Sequence, residues 1–218
     1  VTGEAQLDLQ ARLREGGFKA GRDFGNGTEI ALGGGGAPGL WLRDPGNAAR
    51  LAAWLNAQPW TGLVLAREAG IPGTIPLATL GARHARSPDL AVTFAGSGDP
   101  DPHGVPGRGL IDVGDVPVGG GMHGGLHERE LATVLAMAGG PILRSAVMRG
   151  AADLTDVAPS VLALLGLASD GMDGRALVQA WGEAGDADPA HEVLRPVERR
   201  AGLRLFRLCA AQRPDAML

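Results

Sequence analysis

Glycine and proline interrupt this chain so often that no helix or strand can run far before meeting a turn signal. Of 218 residues, 36 are glycine and 15 are proline. A loop-rich α/β protein fits such a chain better than a helical bundle does. Hydrophobic residues make up 44% and charged residues 20%, which is enough apolar material for a core.

The pattern between the turns predicts the elements. Residues 4–15 have Leu7, Leu9 and Leu13 spaced for an amphipathic helix that Gly16 and Gly17 end. Residues 47–57 read as a second helix, with Leu51, Trp54 and Leu55 on one face. Turn signals at Gly25-Asn26-Gly27 and at Gly33–Gly36 frame short strands at 28–32 and 40–42. The apolar runs at 62–66 and 90–94 have strand length. Residues 95–125 are rich in Gly, Pro and Asp and predict a long loop. Residues 131–138 carry helical spacing, although so short a run is also compatible with a buried strand. Residues 153–166 form the clearest helix, with Thr155 or Asp156 as cap, Pro159 in the first turn and Gly166 as the stop. A further short helix is expected at 174–181. From residue 184 the chain is polar and then Arg-rich, so residues 1–183 read as one domain portion and 184–218 as a tail. Alternation of helices with short apolar runs indicates an α/β class.

Charge and composition narrow the partners. The net charge of −4 and the lack of a basic face argue against a nucleic-acid polymer as partner. Arg195, Arg199, Arg200, Arg204 and Arg207 cluster only in the tail, where a solvated face is the simple reading. Cys209 is the single cysteine and can form neither an internal disulfide nor a cysteine metal site. No apolar run reaches membrane-spanning length. No signal peptide is visible at Val1, and compartment and oligomeric state are left open.

The chemistry-bearing residues gather late. His123 lies in Gly121-Met122-His123-Gly124-Gly125, after a loop with Asp99, Asp101, His103, Asp112 and Asp115 and just before His127 and Glu128. A neutral imidazole is a common zinc ligand, and flanking glycines let a backbone approach a metal or a phosphate. A self-contained site from His123, His127 and nearby carboxylates is one option, but no HExxH-type spacing supports it. Gly33–Gly36 is not a phosphate loop, since no Gly-Lys-Ser/Thr follows, and reads as a flexible turn. No Gly-x-Ser-x-Gly serine elbow is present. Trp41, Trp54 and Trp60 read as packing residues, and His84, His103 and His191 as surface loop residues.

Three ordered segments resemble the C-terminal part of the alkaline-phosphatase superfamily, in particular its type I phosphodiesterase/nucleotide pyrophosphatase branch. They are Gly121–Gly125 followed by Glu128 and Glu130, the apolar run from Leu131 into Gly139-Gly140-Pro141, and Asp156–Leu167 followed by Met172-Asp173-Gly174-Arg175. The resemblance covers residues 121–177, and residues 1–95 match in layout only. It implies an incomplete three-layer α/β/α fold with a small α+β excursion near the N-terminus. It makes residues 131–138 a strand of the central sheet, and it implies that the sheet lacks neighbours and exposes its edges. It makes His123 a ligand to one of two divalent metal ions, zinc in the intact protein, held about 4 Å apart for phosphoryl transfer. The substrate it implies is a small phosphate ester or nucleotide. The nucleophile, the other metal ligands and the Asp-His pair have no matching positions and are expected upstream of Val1. Asp173 and Arg175 are expected to fix a turn. Two other readings are a non-catalytic scaffold that keeps the superfamily's C-terminal fold, and a sulfatase or phosphotransferase of the same superfamily.

Overall fold

The structure is a computed structural model. It describes residues 6–25, 27–101, 103–113, 116–131, 133–148, 152–182, 192–193, 197–201, 204–208 and 211–212. The chain divides into two units. One comprises residues 1–133 with 197–207, the other residues 134–196 with 208–218.

The first unit is built on a mixed six-stranded sheet, so the molecule is α/β. Its strands are β2 (Ala20–Gly21), β3 (Ile30–Leu32), β4 (Gly39–Leu42), β5 (Thr61–Ala66), β6 (Ile75–Pro76) and β7 (Leu90–Phe94), in the order β2-β3-β4-β7-β5-β6. The middle of the sheet is antiparallel and each outer pair, β2–β3 and β5–β6, is parallel. Every residue of β5 and β7 is buried. Such strands are covered on both faces, which explains why they read as continuous apolar runs and not as alternations. The sheet tapers, because β2 and β6 are two residues each and β6 ends in Pro76. At the β6 margin only Leu65 and Ala66 of β5 are paired, so Thr61–Val64 have no strand partner on that side among the described residues.

Two helices supply the core beside the sheet. Helix α1 (Leu9–Glu15) buries Leu9 and Leu13, and α2 (Ala48–Ala57) buries Ala48, Leu51, Ala52 and Leu55. These side chains join Ile30, Leu40, Val64, Leu90 and Val92 in one cluster. The helix expected from residue 4 starts at Leu9 because Asp8 caps it, accepting from the Ala11 N–H at 2.8 Å. The two residues before the cap form a strand instead, β1 (Gln6–Leu7), which pairs in parallel with β10 (Ile111–Asp112). Phe18, Trp54, Trp60 and Phe94 form an aromatic row with centroid spacings of 5.4, 6.0 and 6.3 Å. The indole of Trp54 lies so close to Gly16 that no Cβ would fit there.

Asp89 joins three strands of this sheet. Its carboxylate accepts from the Leu42 N–H of β4 at 2.7 Å and pairs with the guanidinium of Arg67, just after β5. Asp89 itself immediately precedes β7 and is buried.

The second unit differs in kind. Its main element is α4 (Val157–Leu164), entered through a 3₁₀ turn over Leu154–Asp156. Pro159 sits in the first turn of α4 and Gly166, at φ 69°, follows its end, as the sequence predicts. Asp156, one of the two expected caps, holds the N-cap position of α4 but its side chain caps no N–H of that helix; the side-chain cap is Asp153, ahead of the 3₁₀ turn. The Asp153 side chain accepts from the Thr155 N–H, while Asp156 Oδ2 accepts from the Asp153 N–H at 2.9 Å.

Two expectations fail in this part of the chain. Residues 133–138 form neither a strand nor a helix: α3 is the single turn Glu128–Leu131, and residues 133–138 are irregular, with Val134 91% exposed. A strand needs an edge to pair with, and no strand is present among the described residues from 133 to 182. The helix expected at 174–181 is reduced to one 3₁₀ turn, Val178–Ala180. In the tail, β11 (Glu192–Val193) pairs with β14 (Ala211–Gln212), and β12 (Val197–Ala201) with β13 (Arg204–Leu208). Cys209, Arg195 and His191 lie outside the described residues.

Candidate functional site

His123 sits in an irregular turn, and its position depends on a second glycine-rich loop. The Gly36 N–H donates to the His123 carbonyl at 3.3 Å. A Cβ on Gly36 would overlap the Gly125 nitrogen and come within 3.0 Å of the Gly124 carbonyl carbon. Gly124 has φ 93°, in the left-handed region that glycine favours. Main chain therefore touches main chain with no side chain between. The run Gly33–Gly36, which the sequence presents as a flexible turn, is one half of this contact. Its partner lies almost ninety positions further along the chain, so no local signal could reveal the match. The imidazole of His123 is exposed. Gly36→Ala is expected to separate the two loops and shift the His123 and Gly125 amide resonances, while Gly35→Ala, where nothing lies within 4 Å of the added Cβ, leaves them nearly in place. Because Gly35 has φ 109°, some strain accompanies that control, and only the contrast at His123 and Gly125 is diagnostic.

Two of the acidic residues upstream, Asp101 and Asp112, are committed elsewhere, while Asp99 is exposed. Asp101 closes the turn between β8 (Ser97–Pro100) and β9 (Pro106–Arg108), its Oδ1 accepting from the His103 and Val105 N–H groups at 2.8 Å each. Asp112 is 2% exposed and accepts from the Leu9 N–H at 3.1 Å, at the start of α1. Its other oxygen pairs with Arg22 at 3.2 Å. This is a structural carboxylate. Asp112→Ala is expected to cost about 2 kcal/mol, because it leaves the Leu9 N–H without its acceptor in a buried place. The Arg22 pair adds little, since that guanidinium is half exposed. Equilibrium urea denaturation measures the change, and a difference below about 0.5 kcal/mol would remove the structural assignment.

Next to the turn, Glu130 Oε2 accepts from the His127 N–H at 3.3 Å. Asp115 lies outside the described residues, and of Glu128 only the backbone is described. Among the described residues, no three His, Cys, Asp or Glu side chains lie close enough together to hold a metal ion. His123 can supply one imidazole. The described residues by themselves do not make up the three or four donors that a zinc ion takes. His84 is exposed, with its Nδ1 accepting from the Arg86 N–H at 3.1 Å, and belongs to the loop around Ser87.

In the second unit the Asp156–Arg175 segment forms one hydrogen-bonded assembly. Asp156 is fully buried, and its Oδ1 accepts from the Arg175 N–H at 3.1 Å. Ser160 donates to the Asp156 carbonyl at 2.7 Å and accepts from the Leu177 N–H at 2.9 Å. Gly174 lies against the Thr155 carbonyl with no room for a Cβ. The turn is thus fixed by the Arg175 backbone and the Asp156 carboxylate, while the Asp173 side chain is exposed. No described helix is long and apolar enough to cross a membrane. Compared with family models, curated proteins and solved structures, the chain matches none.

Proposed function

We propose that this chain is the C-terminal part of a metal-dependent phosphohydrolase of the alkaline-phosphatase superfamily, of the type I phosphodiesterase/nucleotide pyrophosphatase branch. Its substrate would be a small phosphate ester or nucleotide, and His123 would be a ligand to one of two divalent ions. The observation that carries this reading is the ordered set of segments from Gly121 to Arg175. Within that set, the helix and the Asp-Gly-Arg turn form a single unit through Asp156 and Ser160. The exposed His123 imidazole on a turn held by backbone contacts also suits a ligand that a metal reaches from outside. Bound metal would supply the polarisation of a phosphoryl oxygen and an activated nucleophile. This chain's part is to hold one neutral imidazole in place. The nucleophile and the remaining donors belong to other parts of the polypeptide.

A non-catalytic module is the second reading, favoured by the commitment of Asp101 and Asp112 to backbone hydrogen bonds. Hydrolysis of bis(4-nitrophenyl) phosphate separates the two. The polypeptide at its natural length should turn the ester over with zinc supplied and stop when zinc is chelated, while the 218 residues alone should hydrolyse nothing. Natural-length protein that is folded, zinc-replete and inert would leave the scaffold reading in place.

A further inference from the structure

The last residue of the His123 turn, Gly125, has two neighbours pressed against it. One is the backbone of Gly36. The other is a side chain, the carboxylate of Glu130. A Cβ placed on Gly125 would overlap both carboxylate oxygens of Glu130 and its carboxyl carbon. Gly125 itself is buried. A glycine here is therefore required by a contact with an acid five positions further along the chain.

Helix α3 holds that acid in place. The His127 carbonyl accepts from the Glu130 N–H at 2.9 Å and from the Leu131 N–H at 3.1 Å, while Glu130 Oε2 reaches back to the His127 N–H at 3.3 Å. This is the acidic half of a capping box, with His127 at the N-cap and Glu130 three residues on. Only Leu126 separates the cap from Gly125, so one carboxylate bridges the start of α3 and the end of the turn. Glu130 is exposed and has no part in the core cluster beside the sheet. Its contacts bear on the shape of the turn and not on the interior. A ligand on a loop keeps its affinity for a metal only while supporting groups hold it in the geometry the ion needs.

We propose that Glu130 is a positioning residue for His123: its carboxylate ties α3 to Gly125 and so fixes the turn from which the imidazole meets a metal ion. The inference rests on the reading of His123 as a ligand.

The test uses the polypeptide at its natural length and measures zinc retained against a graded chelator, with urea unfolding followed in parallel. Glu130→Ala should weaken zinc retention by about 10-fold or more, as loss of a group that orients a ligand does. Glu130→Gln keeps a carbonyl oxygen for the His127 N–H and the same shape against Gly125, and should restore most of that loss. Both variants should keep the urea midpoint of the wild type. In the 218-residue chain without metal, the His123 and Gly125 amide resonances should move in Glu130→Ala and stay near their wild-type positions in Glu130→Gln. Zinc held by Glu130→Ala as firmly as by wild type, in a protein that loses it on His123→Ala, overturns the positioning role and leaves the ligand reading standing. Equal losses in the alanine and glutamine variants, or a loss that follows a lowered urea midpoint, overturn it as well. A wild type that retains no zinc, or a His123→Ala variant that retains it fully, refutes the ligand reading itself, and the positioning role falls with it.

Discussion

Asp89→Ala should lower the unfolding free energy of the first unit by about 3 kcal/mol, the low end of the range for breaking a buried ion pair. Asp89 is 8% exposed by residue and its partner Arg67 is 27% exposed by side chain, so the pair is only partly screened. Removing the carboxylate strands two groups at once. The Leu42 N–H loses its acceptor in a buried strand, and the Arg67 guanidinium keeps only the Ser87 carbonyl, at 3.0 Å. Because the carboxylate ties β4, β5 and β7 together, the loss falls on the middle of the sheet. Urea titration followed by tryptophan emission should show the midpoint falling with an unchanged slope. Asp89→Asn keeps one carbonyl acceptor for Leu42 and should cost less than the alanine variant. If alanine and asparagine are equally harmful, the Leu42 hydrogen bond contributes nothing and Asp89 does not join β4 to its neighbours.

His123→Ala, introduced into the polypeptide at its natural length, should reduce zinc-dependent phosphodiester hydrolysis by at least about 100-fold, since loss even of residues outside the ligand shell costs 10- to 100-fold. Zinc content after dialysis should fall in parallel, because a bound zinc needs its full donor set. Stability of the sheet should not change, as the imidazole is exposed and packs against nothing in the core. A ligand imidazole must be neutral, so zinc retention in the wild type should weaken as pH falls. Should the variant keep both its zinc and its turnover, His123 is a turn residue and the phosphohydrolase proposal loses the one side chain it assigns here.

Elements set by neighbouring residues are legible in the sequence itself. Helix α2, the buried strands β5 and β7, and α4 with its Pro159 and Gly166 each carry their own periodicity or stop signal. What cannot be read there depends on distant partners. Asp112 looks like one more acid in a loop, yet it serves the first turn of a helix a hundred residues earlier. Gly36 looks like slack, yet it has no Cβ because the His123 turn lies against it. The run at 131–138 has the composition of a strand or a helix, yet residues 133–138 become neither, because apolar residues alone do not create an edge to pair with or a face to pack on. Arg175 is legible as part of a turn. That its backbone makes the turn while Nε and Nη2 of its guanidinium have no hydrogen-bond partner follows only from atomic positions.

The tapering of the six-stranded sheet bears on how this molecule can grow. Two-residue strands at both margins, one ending in Pro76, give an incoming strand almost nothing to template on. Lateral recruitment, the route to runaway polymers as well as to larger sheets, finds little to pair with on β2 and β6 themselves. A crowded or partly unfolded preparation should therefore be guarded at these two short margins against amyloid-type extension.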